Sequence, residues 1–187
     1  MVFTHDTAAS LQAAVTLVNS EQEPVGLRTP EELDDFFADF GYTGRHDGDQ
    51  AEVDDVHAVV PQLRAVLTAH RDDAVRIVNE MLRTAQALPQ LQRHDGLDWH
   101  LHAIAPDRPL AERIVVETAM AMIDVIRADE MSRLAICADE TCEGIVLDLS
   151  RNRSRRFCSV TCGNRNAVAA YRARQAESEA ESEEAGE

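Results

Sequence analysis

The chain has 187 residues, and its formal net charge is −16 at pH 7. This length suits one medium-sized domain with a small appendage. No apolar run approaches the roughly 20 residues that cross a membrane, and the N-terminus has neither the basic nor the apolar segment of a signal peptide. We therefore expect a soluble, cytoplasmic protein without a membrane partner.

The first half of the chain has the apolar periodicity of α-helices. Helices are predicted over residues 7–19, 53–67 and 72–87, where apolar residues recur every three or four positions. Before the second of these, Thr29-Pro30-Glu31-Glu32 is a capping box with proline at the first helical position, and Gly41 is placed to end the helix that it opens. The apolar face of that helix, predicted to lie in the core, is formed by Leu33, Phe36, Phe37 and Phe40.

The spacing of the apolar residues changes near residue 91, where two runs of alternating apolar and polar residues flank Asp95-Gly96. This pattern predicts a β-hairpin with Trp99, Leu101 and Ala103 on one face and the two histidines of the strand on the other. The hairpin has two interpretations: a solvated histidine face, or one wall of a small-molecule pocket. The residues of such a pocket would be Arg93, His94, Trp99, His100 and His102.

Pro109 opens a further helix whose apolar residues continue to Ile126. This segment is apolar enough to be the central helix of its domain. The elements together predict a mainly α (α+β) fold, in which residues 1–132 form a helical domain with a small β-hairpin.

The four cysteines of the chain all lie near its C-terminus, in the pattern C-x4-C-x15-C-x3-C. Cys137 and Cys142 form one close pair, and Cys158 and Cys162 form the other. Each pair can form a knuckle that offers two thiolates to one metal ion. Zn²⁺ is favoured for such an all-sulfur site, and the alternatives are an iron–sulfur cluster or two disulfides.

Short strands over 133–137 and 145–149 are predicted to carry the first knuckle between them, and a helix over 160–174 begins at the second knuckle. This order is treble-clef-like, and we place the finger over 133–175. Val168 and Tyr171 are expected to pack against its hairpin. The acidic, low-complexity residues 176–187 are predicted to be a disordered tail.

The charge of the chain changes sign around the second cysteine pair. Residues 151–175 contain seven arginines and no acidic residue, whereas residues 1–136 contain 11 arginines and 24 acidic residues. Such a basic segment predicts a surface for a polyanion, although some arginines could instead balance the charge of a zinc–tetrathiolate centre, which is about −2. Asn164 could read a base edge or cap the helix. The predicted nucleic-acid contacts are Arg151, Arg153, Arg155, Arg156, Asn164, Arg165, Arg172 and Arg174.

The segments Arg155-Arg156-Phe157-Cys158-Ser159 and Cys162-Gly163-Asn164-Arg165 resemble the CGNR zinc finger, a family named after the tetrapeptide that stands at 162–165. Upstream, Leu17-Val18-Asn19-Ser20 and the helix cap at 29–33 resemble the ABATE domain, which precedes this finger and is associated with stress-induced transcription regulation. The resemblance implies that the four cysteines are zinc ligands and that the finger binds duplex DNA.

We therefore expect a transcription regulator in which the N-terminal domain senses a small-molecule effector or serves for dimerisation. A homodimer is expected because one finger offers few contacts to DNA. The alternative function is a zinc-finger adaptor that binds an acidic protein surface and not DNA. An enzyme is not expected, because the sequence has no Gly-rich phosphate loop, nucleophile elbow or His-Glu-x-x-His motif.

Overall fold

The computed structural model describes residues 3–22, 26–93 and 99–184. Over these residues the chain forms six α-helices and two antiparallel hairpins, which confirms the mainly α fold. The helices are α1 (His5–Ser20), α2 (Pro30–Asp39), α3 (Gln50–Thr68), α4 (Arg71–Thr84), α5 (Leu110–Arg127) and α6 (Val160–Glu184). The paired strands are β1 (Gln90–Gln92) with β2 (His100–His102), and β3 (Leu134–Ile136) with β4 (Ile145–Leu147). None of the described helices combines the length and apolarity that crossing a membrane requires.

Helix α5 is the centre of the core, as its sequence predicts. It packs against α1, α3 and α4, and the side chains of Leu110, Ile114 and Met122 are fully buried. Full burial of each such side chain contributes about 1.5–3 kcal/mol. The apolar surface of α5 therefore holds the N-terminal helices together.

The capping box predicted at the start of α2 is confirmed. Thr29 Oγ1 accepts a hydrogen bond from the Glu32 N–H at 3.3 Å, and the Glu32 carboxylate accepts one from the Thr29 N–H at 2.9 Å. The backbone N–H groups of Arg28 and Thr29 lower the pKa of Glu32. After α2 the chain turns at Gly41, where φ is +66°, so that the buried Tyr42 ring stacks on Phe36.

The first hairpin lies where the alternating pattern predicts it, with Leu91 opposite Leu101. Its predicted turn at Asp95-Gly96 lies outside the described residues. Ala103 is buried, whereas Trp99 and Leu101 are 63% and 49% exposed. The hairpin therefore presents apolar side chains at the protein surface.

The second hairpin is built onto the helical core. Ile145 and Leu147 of β4 are buried in the main core cluster, and β4 packs against α1. At the end of α1, the Asn19 amide donates to the carbonyl of Ile145 at 2.8 Å and accepts from its N–H at 2.7 Å. The domain boundary after residue 132 stays a prediction, but the parts on either side of it share one core.

Helix α6 begins at Val160, as predicted, and continues to Glu184. The sequence predicts a disordered tail from residue 176, whereas the structure has helix through residue 184. Alanine and glutamate favour helix, and no glycine or proline interrupts this stretch. The prediction that Val168 and Tyr171 pack against the hairpin is wrong, because their side chains are 48% and 58% exposed.

Candidate metal centre

The four cysteines converge on one site, as their spacing predicts. All four sulfur atoms lie within 4.8 Å of one another. Cys158 Sγ lies 3.5 Å from Cys142 Sγ and 3.8 Å from Cys162 Sγ, far beyond the roughly 2.05 Å of a disulfide bond. Four sulfur atoms around a tetrahedral zinc ion, each at about 2.3 Å from the metal, are about 3.8 Å apart. The cluster therefore has the size that a tetrahedral metal ion requires.

The first knuckle follows directly from β3. The Cys137 N–H donates to the carbonyl of Gly144 at 2.7 Å, and the Cys142 N–H donates to the carbonyl of Asp139 at 2.9 Å, which closes the turn. Two further N–H groups point at sulfur: Gly144 donates to Cys142 Sγ at 3.3 Å, and Cys158 donates to Cys137 Sγ at 3.4 Å. Such bonds stabilise thiolate, which is the form that binds metal.

Gly144 leaves room for the sulfur atoms. A Cβ at this position would lie 2.7 Å from Cys158 Sγ and 3.2 Å from Cys142 Sγ. Only a residue without a side chain permits so close an approach. The sequence analysis missed this residue; the signal that could have found it is a glycine two positions after a knuckle cysteine.

The second knuckle is the first turn of α6. Ser159 Oγ accepts a hydrogen bond from the Cys162 N–H at 3.2 Å, so Ser159 caps this turn. Asn164 lies further along α6 and is exposed, which removes the helix-capping alternative for its side chain. The Ala138 N–H donates to the carbonyl of Arg156 at 2.9 Å and joins the two knuckles.

The cluster is electrostatically suited to a cation. Burial raises the pKa of the Cys158 thiol well above its usual range, and the neighbouring cysteines add to this rise. Four thiolates so close together need a positive charge between them. Four cysteine sulfur atoms at this spacing match the ligand set of closed, four-coordinate structural zinc sites.

Arg165, a predicted nucleic-acid contact, is engaged within the finger. Its Nη1 atom donates to Thr141 Oγ1 at 2.6 Å and lies 3.5 Å from Asp139 Oδ2. Asp139 is buried, and its Oδ2 atom has no hydrogen-bond partner in the described structure, so this arginine supplies its compensating charge. Arg165 thus fastens α6 to the first knuckle.

Arg153 and Arg155 are also engaged. Arg153 Nη2 lies 2.7 Å from Glu130 Oε2, and Arg153 Nη1 donates to Ser132 Oγ at 3.2 Å. Arg155 Nη2 donates to the carbonyl of Cys158 at 2.9 Å. Both side chains brace the loop that enters the second knuckle.

The other predicted contacts in this segment face solvent. Arg151, Arg156, Arg172 and Arg174 are exposed, and within the described part of the chain no salt bridge holds any of them. The Arg156 guanidinium lies 5.9 Å from the centre of the Phe157 ring. The structure therefore divides the seven arginines of this segment into three that brace the finger and four that are available to a partner.

A cavity of about 360 Å³ lies in the N-terminal part, between α1, α5, β2 and the segment after α2. Of the predicted pocket residues, His102 lines it, whereas Arg93 and Trp99 do not; His94 and the side chain of His100 lie outside the described residues. The sequence analysis missed Arg113, Glu117 and Asp124, which also line it. The sequence signal that could have found them is the spacing of these three charged residues, which places them on one face of the most apolar helix.

Two family models match the chain. The ABATE model, described as "Putative stress-induced transcription regulator", matches residues 11–129. The chain belongs to the ABATE family. The CGNR zinc finger model matches residues 133–175 of this ABATE protein, a range that contains all four cysteines, and the resemblance noted in the sequence is thereby confirmed. Neither family is an enzyme family, and comparison with curated proteins yields no match.

Proposed function

We propose that this ABATE protein is a transcription regulator that binds Zn²⁺ through its four cysteines and duplex DNA through residues 151–175. The observation that carries the proposal is the set of four exposed arginines in an acid-free segment whose backbone is fixed at the cysteine cluster. Positive side chains on a rigid support bind phosphate at low entropic cost. No catalytic role is proposed for the closed four-sulfur site.

The exposed residues have different roles in this proposal. Arg151 and Arg156 lie on the loop before the second knuckle and contact phosphates, which position a protein on DNA. Asn164 and Arg172 lie two helical turns apart on α6 and face base edges, where amide and guanidinium groups can form paired hydrogen bonds. Arg174 adds a phosphate contact further along the helix.

Binding of a pool of random duplex fragments by the zinc-loaded full chain tests the proposal. Replacing Arg151, Arg156, Arg172 and Arg174 together by glutamine should weaken binding to every sequence and flatten its salt dependence by about 0.9 in slope for each lost phosphate contact. The matched control replaces the four exposed arginines Arg71, Arg76, Arg83 and Arg108 by glutamine, which changes the net charge equally.

Comparison of the two variants shows whether DNA binding depends on these particular arginines or only on the net charge of the protein. Equal losses in both would mean that net charge alone attracts DNA. Unchanged DNA binding after the first replacement would instead favour the adaptor function, in which the same arginines meet an acidic protein surface. Elemental analysis of the purified protein should give one zinc ion per chain.

We also propose that the protein acts as a homodimer, with its N-terminal part serving for dimerisation and as a sensor. One finger buries less surface than the roughly 1,000 Å² or more of a typical specific DNA complex, so two fingers are needed for selectivity. Leu88, Leu91 and Trp99 on and beside the first hairpin are 73%, 65% and 63% exposed. Exposed apolar side chains of this kind suit a two-fold contact between N-terminal parts.

A further inference from the structure

The cavity in the N-terminal part has the size and lining of a small-molecule site. Its volume of about 360 Å³ lies in the range of roughly 300–1,000 Å³ typical of such sites. Apolar side chains from three elements form its walls, among them Ala13 of α1, Phe40 after α2, and Val116 and Met120 of α5. A ligand with an apolar body can therefore be buried there.

Two of the charged residues on the cavity face of α5 already have partners. The Arg113 guanidinium donates to the backbone carbonyls of Arg108, Thr43 and Arg45. Asp124 accepts a hydrogen bond from Thr7 Oγ1 at 2.6 Å, which ties α5 to α1. These side chains hold the cavity walls in place.

Glu117 lies between Arg113 and Asp124 on the same face of α5, but it lacks a hydrogen-bond partner of this kind among the described residues. Burial raises its pKa to about 7, and the charge of Arg113 offsets only part of this effect. No hydrogen bond from a described residue reaches its carboxyl group. Glu117 is partly buried at the wall of the cavity. Desolvation of a carboxylate without hydrogen bonds is costly, and the adjoining cavity has room for a donor.

The other charged and titratable groups around the cavity favour a cation over an anion. Tyr42 is buried, and burial together with the charge of Glu117 raises its pKa, so it stays neutral. His5, Asp6 and His102 also line the cavity, and Arg127 is exposed at its edge. Because the guanidinium of Arg113 is committed to carbonyl groups, an anionic ligand would find acidic groups and no uncommitted buried cation.

We propose that this cavity binds a small organic amine, whose apolar body packs against α1 and α5 and whose ammonium group donates to the Glu117 carboxylate. A charge-assisted hydrogen bond of this kind would give the partly buried Glu117 carboxylate a donor from the ligand. The proposal rests on the sensor role given above to the N-terminal part, and it assigns the chemical class of the effector.

Calorimetric titration of the zinc-loaded full chain, without DNA, tests this assignment with 2-phenylethylamine and with 2-phenylethanol, which has the same shape but no charge. We expect the amine to bind at least about tenfold more tightly than the alcohol at about pH 8. Glu117→Gln should remove this advantage. The matched control Glu112→Gln changes a half-buried carboxylate on α5 that pairs with Arg108 and lies outside the cavity, and it should keep this advantage.

The pH dependence in the unaltered protein is a second measurement, which does not depend on how the variants fold. Binding of the amine should strengthen as the pH rises through about 7, where Glu117 ionises, and binding of the alcohol should not. Equal affinity for the two probes, no binding of either at millimolar concentration, or an unaffected amine affinity in Glu117→Gln would overturn the proposal. Because no DNA is present, these outcomes leave the DNA-binding proposal untouched.

Discussion

At the scale of single residues, the metal centre depends on the space around the sulfur atoms as well as on the sulfur atoms themselves. Gly144 faces Cys142 and Cys158 at a distance that leaves no room for a methyl group. Gly163, in the first turns of α6, has room, since a Cβ there would meet the Phe157 ring at 3.6 Å. The two glycines of the finger therefore have different structural roles.

We expect Gly144→Ala to weaken zinc binding by at least about tenfold, because the added methyl group separates two of the four ligands. Competition with a chromogenic chelator measures the affinity. Gly163→Ala makes the same chemical change where space exists and should leave the affinity nearly unaltered. If both variants bind zinc as the original chain does, Gly144 does not shape the site.

Glu117 makes a separate prediction about stability. Its pKa in the folded protein, about 7, lies above the ordinary value of 4.5, so between these pH values the folded chain holds a proton that the unfolded chain has lost. This group therefore lowers stability as the pH rises from 4.5 to 7. Glu117→Gln should stabilise the protein by about 1–2 kcal/mol at about pH 8.

Urea unfolding at two pH values measures this effect. The stabilisation by Glu117→Gln should shrink toward about pH 4.5, where the original side chain is also largely protonated. Glu112→Gln, on the same helix, serves as control and should show no such trend. If the stabilisation did not change with pH, it would not come from the ionised form of the Glu117 carboxyl group.

At the scale of secondary-structure elements, the junction between α1 and β4 links the helical core to the metal centre. Asn19 pairs with both backbone polar groups of Ile145, as a neighbouring strand would. Arg64 on α3 donates to the carbonyl of Glu143 at 2.7 Å and fastens the same knuckle from another side. The position of the finger thus depends on contacts made by the N-terminal helices.

We expect Asn19→Ala to lower the free energy of unfolding by about 1–3 kcal/mol, because it leaves two backbone groups of Ile145 without partners. Zinc affinity should fall as well, since Ile145 follows directly after Gly144. Chemical unfolding and chelator competition measure the two effects. The control Asn79→Ala, at an exposed position on α4, should change neither quantity. If Asn19→Ala lowered stability but kept full zinc affinity, the junction would not support the metal site.

At the scale of the whole molecule, two exposed surfaces lie in different parts of the chain. The arginine-rich surface belongs to the finger, and the exposed apolar residues Leu88, Leu91 and Trp99 lie on or beside the first hairpin. A dimer formed through the hairpins would leave both fingers exposed for DNA. This arrangement fits the proposed binding of two fingers to one DNA site.

We expect Leu91→Asp to convert the proposed dimer to a monomer, because it places a charge in a contact that the exposed leucines would otherwise bury. Sedimentation velocity measures the state. Val75→Asp, which changes an exposed apolar residue on α4, should remain dimeric. An original chain that is monomeric at a concentration of about tens of micromolar would remove the dimer from the proposed mechanism.

Local patterns in the sequence predicted several features that the structure confirms. The capping box at Thr29, the central helix α5 and the convergence of the four cysteines depend on spacings that fix backbone geometry over a few residues. The finger was also predictable because its ligands lie close together in the chain. In contrast, the disorder predicted from residue 176 rested on composition alone, and alanine and glutamate also favour helix.

The tertiary structure alone decided which residues are available to partners. Sequence composition could not show that Arg165 binds Asp139 and Thr141 or that Arg153 binds Glu130, because those acids come from distant segments. It could not place Glu117 beside a cavity either, since that cavity forms only where α1, α5 and β2 meet. The sequence by itself determined the local geometry of the four cysteines. Long-range packing determined which charged side chains are neutralised and which remain exposed, because the partners of a charge are set by distance in space and not along the chain.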